Sequence, residues 1–161
     1  MSEFVLWTSE LSPFSMKIKS CLLYTGHTYR SLPREGGKIR NLYTAFKINS
    51  AKKKGTITKY PVMTALDEYP GVPFLIEPNG QMQYDSSAIS CWLDAKPSQV
   101  SNRKLWPQEP AMAFLAQLID EAMDEFGIYL AHHMRWLRSI KTNDAAERLF
   151  QERRHIPFLP K

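Results

Sequence analysis

The sequence predicts an α/β domain over residues 1–96 followed by an all-helical region over residues 97–161. Three observations predict it. A strand-like run, "EFVLWT", passes through the turn "SELSPF" into an amphipathic run, and the short alternating run "HTYRSL" follows, the order of a strand–helix–strand unit. Two β-rich runs, "VPFLIE" and "QMQY", flank the hairpin signal "PNG". From Glu109 onward apolar residues recur every three to four positions across many turns.

Taken in order, the first element is a strand over about residues 3–8. A helix from Pro13 to about Tyr24 places Phe14, Ile18, Cys21 and Leu22 on one face, and Gly26 is a C-terminal stop. Because a helix separates them, the strands at 3–8 and 27–32 are expected to lie parallel. "REGGKIRNLYTAFKINSAKKKG" reads as a helix from about Lys38, with Ile39, Leu42 and Phe46 on one side and Gly55 ending it. "TITKYPVMTALDEYP" reads as a mixed segment with a short helix around 62–66. After the hairpin, Asp85 or Ser86 caps a helix over about 86–94, with Ile89, Trp92 and Leu93 as its apolar stripe. "KPSQVSN" is polar and turn-forming, so a boundary is placed near residue 97. The long helix then carries Phe114, Leu118, Ala122, Phe126, Leu130, Met134 and Leu137 as one stripe. Glu109 and Pro110 stand at its start and Arg135 and Arg138 at its end. "DAAERLFQERR" is a further helix.

Composition narrows the function classes. A chain of 161 residues with 43% hydrophobic and 12% aromatic content can bury one ordinary core and a small second unit. No apolar run reaches the roughly 18 residues that a spanning helix needs, so no membrane partner is expected. "MSEFVLWTSE" has no basic stretch before its apolar residues, against a secretory signal. The two cysteines, Cys21 and Cys91, each stand alone among apolar residues, which reads as buried thiols of a reducing compartment and a cytoplasmic location. The net charge of +5 invites a nucleic-acid reading. However, neither "AKKKG" nor "ERRH" is interleaved with aromatics, so no nucleic-acid partner is expected. Asp120, Glu121, Asp124 and Glu125 form an acidic band on the long helix. His132 and His133 point about 100° apart on a helix and do not converge on one ion, so no metal is expected.

The turn before the first helix has the spacing of a thiol-redox C-x-x-C turn with serine at both positions, Ser12 and Ser15. A serine hydroxyl cannot act as a redox nucleophile near neutral pH, which excludes thiol–disulfide exchange of the glutaredoxin kind. It can donate a hydrogen bond to a thiolate, at a helix N-terminus that favours anions. Ser-Pro at cap and first helical position also suits any helix start, so capping alone is the competing reading. Ser15 reads as helix surface or a secondary contact. Pro73 at a strand entrance reads as an ordinary edge-strand proline, and Asp85–Ser86 as a capped helix start.

In this order, "SPFSMKIK", "VPFL" and "YDSSAI" resemble the glutathione S-transferase superfamily over the first 95 residues or so. The resemblance implies a thioredoxin-like N-terminal domain, a helical C-terminal domain that is short here, and glutathione as co-substrate. It implies Ser12 as the catalytic residue acting on the glutathione thiol. It also implies glutathione contacts from Phe14, from Val72 and a cis Pro73, and from Asp85 and Ser86 at the γ-glutamyl end. A small electrophile as second substrate and a homodimer are further implications. The dimer face would involve the helix near 86–94 and the long helix. Two departures stand out: the basic stretch around Lys52 to Lys59 lies in a segment longer than the family pattern, and the helical region lacks a later Ser/Thr-x-x-Asp cap. These departures favour an inactive binding or interaction module as the alternative to an enzyme.

Overall fold

A computed structural model describes residues 3–58, 71–96 and 102–154. Strand β1 (Phe4–Trp7) leads through residues 8–12 into helix α1 (Pro13–Thr25), and β2 (Tyr29–Leu32) returns parallel to β1, with Phe4 opposite Tyr29 and Trp7 opposite Leu32. Gly26 closes α1 at φ 74°, and the His27 N–H reaches the Leu22 carbonyl at 3.0 Å. That is the six-to-one bond of a left-handed helix stop, a backbone state glycine adopts at no steric cost.

Helix α2 (Lys38–Lys54) ends at Gly55 as expected, but its buried face is not the expected one. Asn41, Thr44 and Ile48 face inward, whereas Ile39, Leu42 and Phe46 are exposed. The cause is a local polar anchor. The Asn41 side-chain amide donates to the Pro33 carbonyl at 2.9 Å and the Gly36 carbonyl at 3.3 Å, pinning that face to the preceding turn. A side chain at Gly36 would collide with Asn41 and Leu32, so glycine permits the close approach.

Within the segment read as mixed, Ile57–Thr58 forms a two-residue strand, β3, parallel to the hairpin's second strand. The short helix expected around 62–66 lies outside the described residues, as does the boundary expected near residue 97. Strands β4 (Phe74–Ile76) and β5 (Met82–Tyr84) form the predicted antiparallel hairpin, with Gly80 at φ 90° in the turn. The five-stranded sheet has the order β2-β1-β4-β5-β3.

Helix α3 (Ser86–Ala95) packs with α1 on one sheet face. Leu6, Ile18, Leu22, Leu75, Ile89 and Leu93 are fully buried there. Alternation along β4 sends Phe74 and Ile76 to the other face, where they meet Ile48 of α2 and Met82. The result is three layers, with α2 opposite α1 and α3.

The helical region begins at α4 (Pro110–Ala122), capped by Glu109, whose carboxylate accepts from the N–H groups of Ala111 and Met112 at 3.0 and 2.7 Å. The long helix continues through a π-helical turn (Met123–Gly127), α5 (Ile128–His133) and a second π-helical turn (Met134–Arg138). Its apolar stripe is not core. Phe114, Leu118, Phe126, Leu130, Met134 and Leu137 are each at least half exposed. Helix α6 (Ala145–Arg154) follows. No helix among the described residues is long and apolar enough to cross a membrane.

Candidate functional site

The sheet register gathers the residues that the sequence singled out. Trp7 lies opposite Phe74, and Phe74 lies opposite Tyr84, so one row crosses three strands. Since β4 runs against β1 and β5, this row joins the exits of β1 and β5 to the entrance of β4. The turn carrying Ser12, the Val72–Pro73 dipeptide and the Asp85–Ser86 pair therefore share one end of the sheet. Helices α1 and α3 both begin there, so two helix N-termini with their free N–H groups point to the same side.

Ser12 is the N-cap of α1. Its backbone is extended, at φ −85° and ψ 120°, and its Oγ accepts from the Ser15 N–H at 3.2 Å. Among the described residues nothing accepts the Ser12 hydroxyl proton, and a hydroxyl can accept and donate at once. Capping and donation to an outside group are thus compatible. Phe14 sits half-buried in the first turn of α1. Ser15 is not on the helix surface: it is fully buried and its Oγ accepts from the Ser9 N–H at 3.3 Å.

The Val72–Pro73 peptide bond is cis. Pro73 is buried and Val72 half-buried, and pairing with β1 begins one residue later, at Phe74. Asp85 caps α3 by accepting from the Ala88 N–H at 3.0 Å. Its φ of 76° is the only positive value among non-glycine residues of the described chain. Such a backbone costs on the order of 1–3 kcal/mol and concentrates at functional sites.

Sequence reasoning missed the polar cluster under this pair. Lys17 of α1 meets Asp120 at 2.6 Å and Asp124 at 2.9 Å, and donates to the Ser87 hydroxyl at 3.0 Å. Ser87 donates to Asp120 at 2.6 Å, and Ser86 to Asp124 at 3.3 Å. Burial alone would lower the Lys17 ammonium pKa, but the two carboxylates outweigh it and hold the group above its ordinary value. The acidic band was visible in the sequence; its cation, about a hundred residues away, was not.

A second set of contacts, also unforeseen, fastens the loop before Ser12 to the helical region. Ser9 Oγ donates to Glu152 Oε2 at 2.6 Å, and the Glu10 N–H donates to Glu152 Oε1 at 2.5 Å. Arg135 donates to the Leu11 carbonyl at 2.7 Å. The Glu10 carboxylate lies against Arg34 and, at 3.5 Å, Arg148. Burial opposes its charge, but these guanidinium groups prevail and lower its pKa. Replacing Glu152 by alanine is expected to destabilise the chain by about 1–2 kcal/mol, through two lost charge-assisted bonds. The Glu10 amide should then exchange with solvent deuterium faster, while amides of the β1–β4 ladder keep their relative protection.

The two cysteines are free thiols; Cys21 is half-buried, whereas Cys91 is exposed, contrary to the reading of both as buried. Burial raises the pKa of each, so neither is an activated nucleophile. His132 and His133 are both exposed, and no group of three potential metal ligands occurs among the described residues.

No protein-family model matches the chain, and no curated protein sequence does. Solved structures do. A glutathione S-transferase from Methylobacterium radiotolerans, in complex with glutathione sulfonate, is similar over 96% of this chain and 62% of its own, at 22% identity and a TM-score of 0.51. Ure2p in complex with glutathione is similar over 96% of this chain and 58% of its own, at 16% identity and a TM-score of 0.56. The chain thus spans about three fifths of the length of these two proteins. At such identities the likeness speaks for architecture: sheet order, the serine-capped α1 and the helical region after α3 together give this chain the glutathione S-transferase fold, with a thioredoxin-like α/β unit followed by helices.

Proposed function

We propose that the chain binds glutathione at the end of the sheet shared by α1 and α3, and activates its thiol for attack on a small electrophile or for reduction of a hydroperoxide. The observation that carries this reading is the register placing the Ser12 turn, Val72–Pro73 and Asp85–Ser86 side by side. The protein contributes no sulfur of its own. Ser12 Oγ–H donates to the bound thiolate, and the N-terminus of α1 adds its partial positive charge. A free thiol with a pKa near ~8.5 is mostly protonated at neutral pH, and each unit by which the site lowers it corresponds to about 1.4 kcal/mol favouring the anion.

The rest of the tripeptide has partners of matching chemistry. Val72 offers backbone groups to the extended cysteinyl part, as in strand addition. Asp85 pairs with the γ-glutamyl ammonium. Ser86, once its hydroxyl leaves Asp124, takes the carboxylate together with the first amides of α3. Phe14 packs against the ligand from the first turn of α1. The two free cysteines support a reducing compartment, the cytoplasm. The exposed apolar stripe of the long helix, with α3 beside it, supplies a face for a homodimer.

The second reading, a glutathione-binding interaction module without turnover, is favoured by that same stripe, because an electrophile pocket needs walls and these residues face outward. Immobilised glutathione followed by a conjugation assay with chlorodinitrobenzene separates the two. Retention with turnover supports the enzyme, retention without turnover the module, and failure to be retained overturns both. A milder test addresses Asp85. Asp85→Gly relieves the positive φ at a small capping cost, so thermal stability is expected to stay level or rise, whereas retention on glutathione weakens several-fold. Unchanged retention would remove Asp85 from the ligand contacts.

A further inference from the structure

Helix α2 carries a surface that the proposed glutathione chemistry does not use. Its seventeen residues include Lys38, Arg40, Lys47, Lys52, Lys53 and Lys54 and no acidic residue. The inward face is Asn41, Thr44 and Ile48. Directly opposite, at spacings of three and four, stand Ile39, Leu42, Tyr43 and Phe46, exposed by 87%, 41%, 62% and 69%. Cations border this stripe. Arg40, Lys47 and Lys54 recur every seven residues and so form a line along one flank, Lys38 lies on the other, and Lys53, seven residues beyond Phe46, ends the stripe itself. Among the described residues, none of Lys38, Arg40, Lys47, Lys53 and Lys54 is paired with a carboxylate; the Lys47 ammonium instead lies 5.6 Å from the centre of the Tyr43 ring.

We propose that α2 docks on an anionic lipid surface, with Ile39, Leu42, Tyr43 and Phe46 inserted at the headgroup boundary and the flanking cations among the headgroups. An apolar stripe of aromatic and aliphatic residues bordered by cations is the arrangement of a helix lying in a membrane interface. A nucleic-acid partner would use the cations but leave Ile39 and Leu42 in water. A second copy of the chain would bring the same six positive charges into one contact. The stripe and the charge together therefore select the anionic bilayer. The absence of a spanning helix, on which the expectation of no membrane partner rested, has no bearing on a helix lying flat. Lysine and arginine each contribute favourably at an anionic surface, and several together give binding that falls with salt.

The test is sedimentation of the 161-residue chain with vesicles of phosphatidylcholine alone or mixed in equal parts with phosphatidylserine. The expected result is at least tenfold stronger partitioning to the mixed vesicles, reversed by added salt. Arg40→Glu/Lys47→Glu should lower partitioning about tenfold or more, and so should Ile39→Ser/Phe46→Ser. Ile39, Arg40 and Phe46 are solvent-exposed and Lys47 is half-buried, and an unchanged far-ultraviolet circular dichroism spectrum shows that the variants are folded. Equal partitioning to both vesicle types overturns the proposal. So does anionic binding that survives Ile39→Ser/Phe46→Ser, which would mark a simple charge contact. Binding to a single-stranded oligonucleotide but not to vesicles overturns it in favour of nucleic acid.

Discussion

Replacing Ser12 by alanine is expected to lower glutathione conjugation about a hundredfold while leaving retention on immobilised glutathione nearly unchanged. In the proposed chemistry the hydroxyl acts on the thiolate, which forms on the way to reaction, whereas the tripeptide would be held by the backbone at Val72 and by the start of α3. An interaction made mainly with the activated state appears in turnover more than in binding. The alanine also removes the N-cap, whose Oγ accepts from the Ser15 N–H at 3.2 Å, and this costs about 1 kcal/mol of stability. Ser12→Asp separates the two roles. Aspartate caps a helix as well as serine does, but its carboxylate cannot donate a proton and repels a thiolate. Stability near that of the original chain with turnover as low as in Ser12→Ala identifies the hydroxyl as the working group. Original turnover in Ser12→Asp would reduce Ser12 to a cap.

Replacing Lys17 by methionine is expected to destabilise the chain by about 2 kcal/mol in urea unfolding at neutral pH. The ammonium bridges Asp120 at 2.6 Å and Asp124 at 2.9 Å, with each side chain about one-fifth exposed. Without it, two carboxylates one turn apart face each other, half-buried and without a cation. Because the Lys17 pKa is raised in the folded chain, its contribution is fully present below the ordinary lysine value of 10.5 and is lost as pH rises through the folded value. Adding Asp120→Asn should recover part of the loss. A deficit that Asp120→Asn leaves unchanged would trace the effect to packing of the lysine stem rather than to charge.

Where local chemistry fixes the backbone, the fold was legible in the sequence. Gly26 and Gly55 end α1 and α2, Asn79–Gly80 makes the hairpin, and Asp85 starts α3. The glutathione-transferase fold was expected from the resemblance of "SPFSMKIK", "VPFL" and "YDSSAI", in that order, to that superfamily. Two faces could not be read. On α2 the apolar periodicity marked Ile39, Leu42 and Phe46, yet the face that meets the sheet holds Asn41, because carbonyls of the turn at 33–36 satisfy its amide. On the long helix the stripe was legible as a periodic pattern, but its exposure was not. Periodicity reports that a face is apolar, and burial depends on whether another element covers it. The contacts that position the site were silent for a different reason. Lys17–Asp124, Arg135–Leu11 and Glu152–Glu10 join residues 107, 124 and 142 apart in sequence, and each uses a charged side chain common on any surface. No local pattern announces such pairs.

Titration of the thiol of bound glutathione, followed through the ultraviolet absorbance of its thiolate, reaches the proposed chemistry most directly. A saturated complex is expected to ionise at a pH at least about one unit below free glutathione, with the shift largely removed in Ser12→Ala. A bound thiol that titrates with the free tripeptide would contradict activation at this end of the sheet, even if the tripeptide binds there.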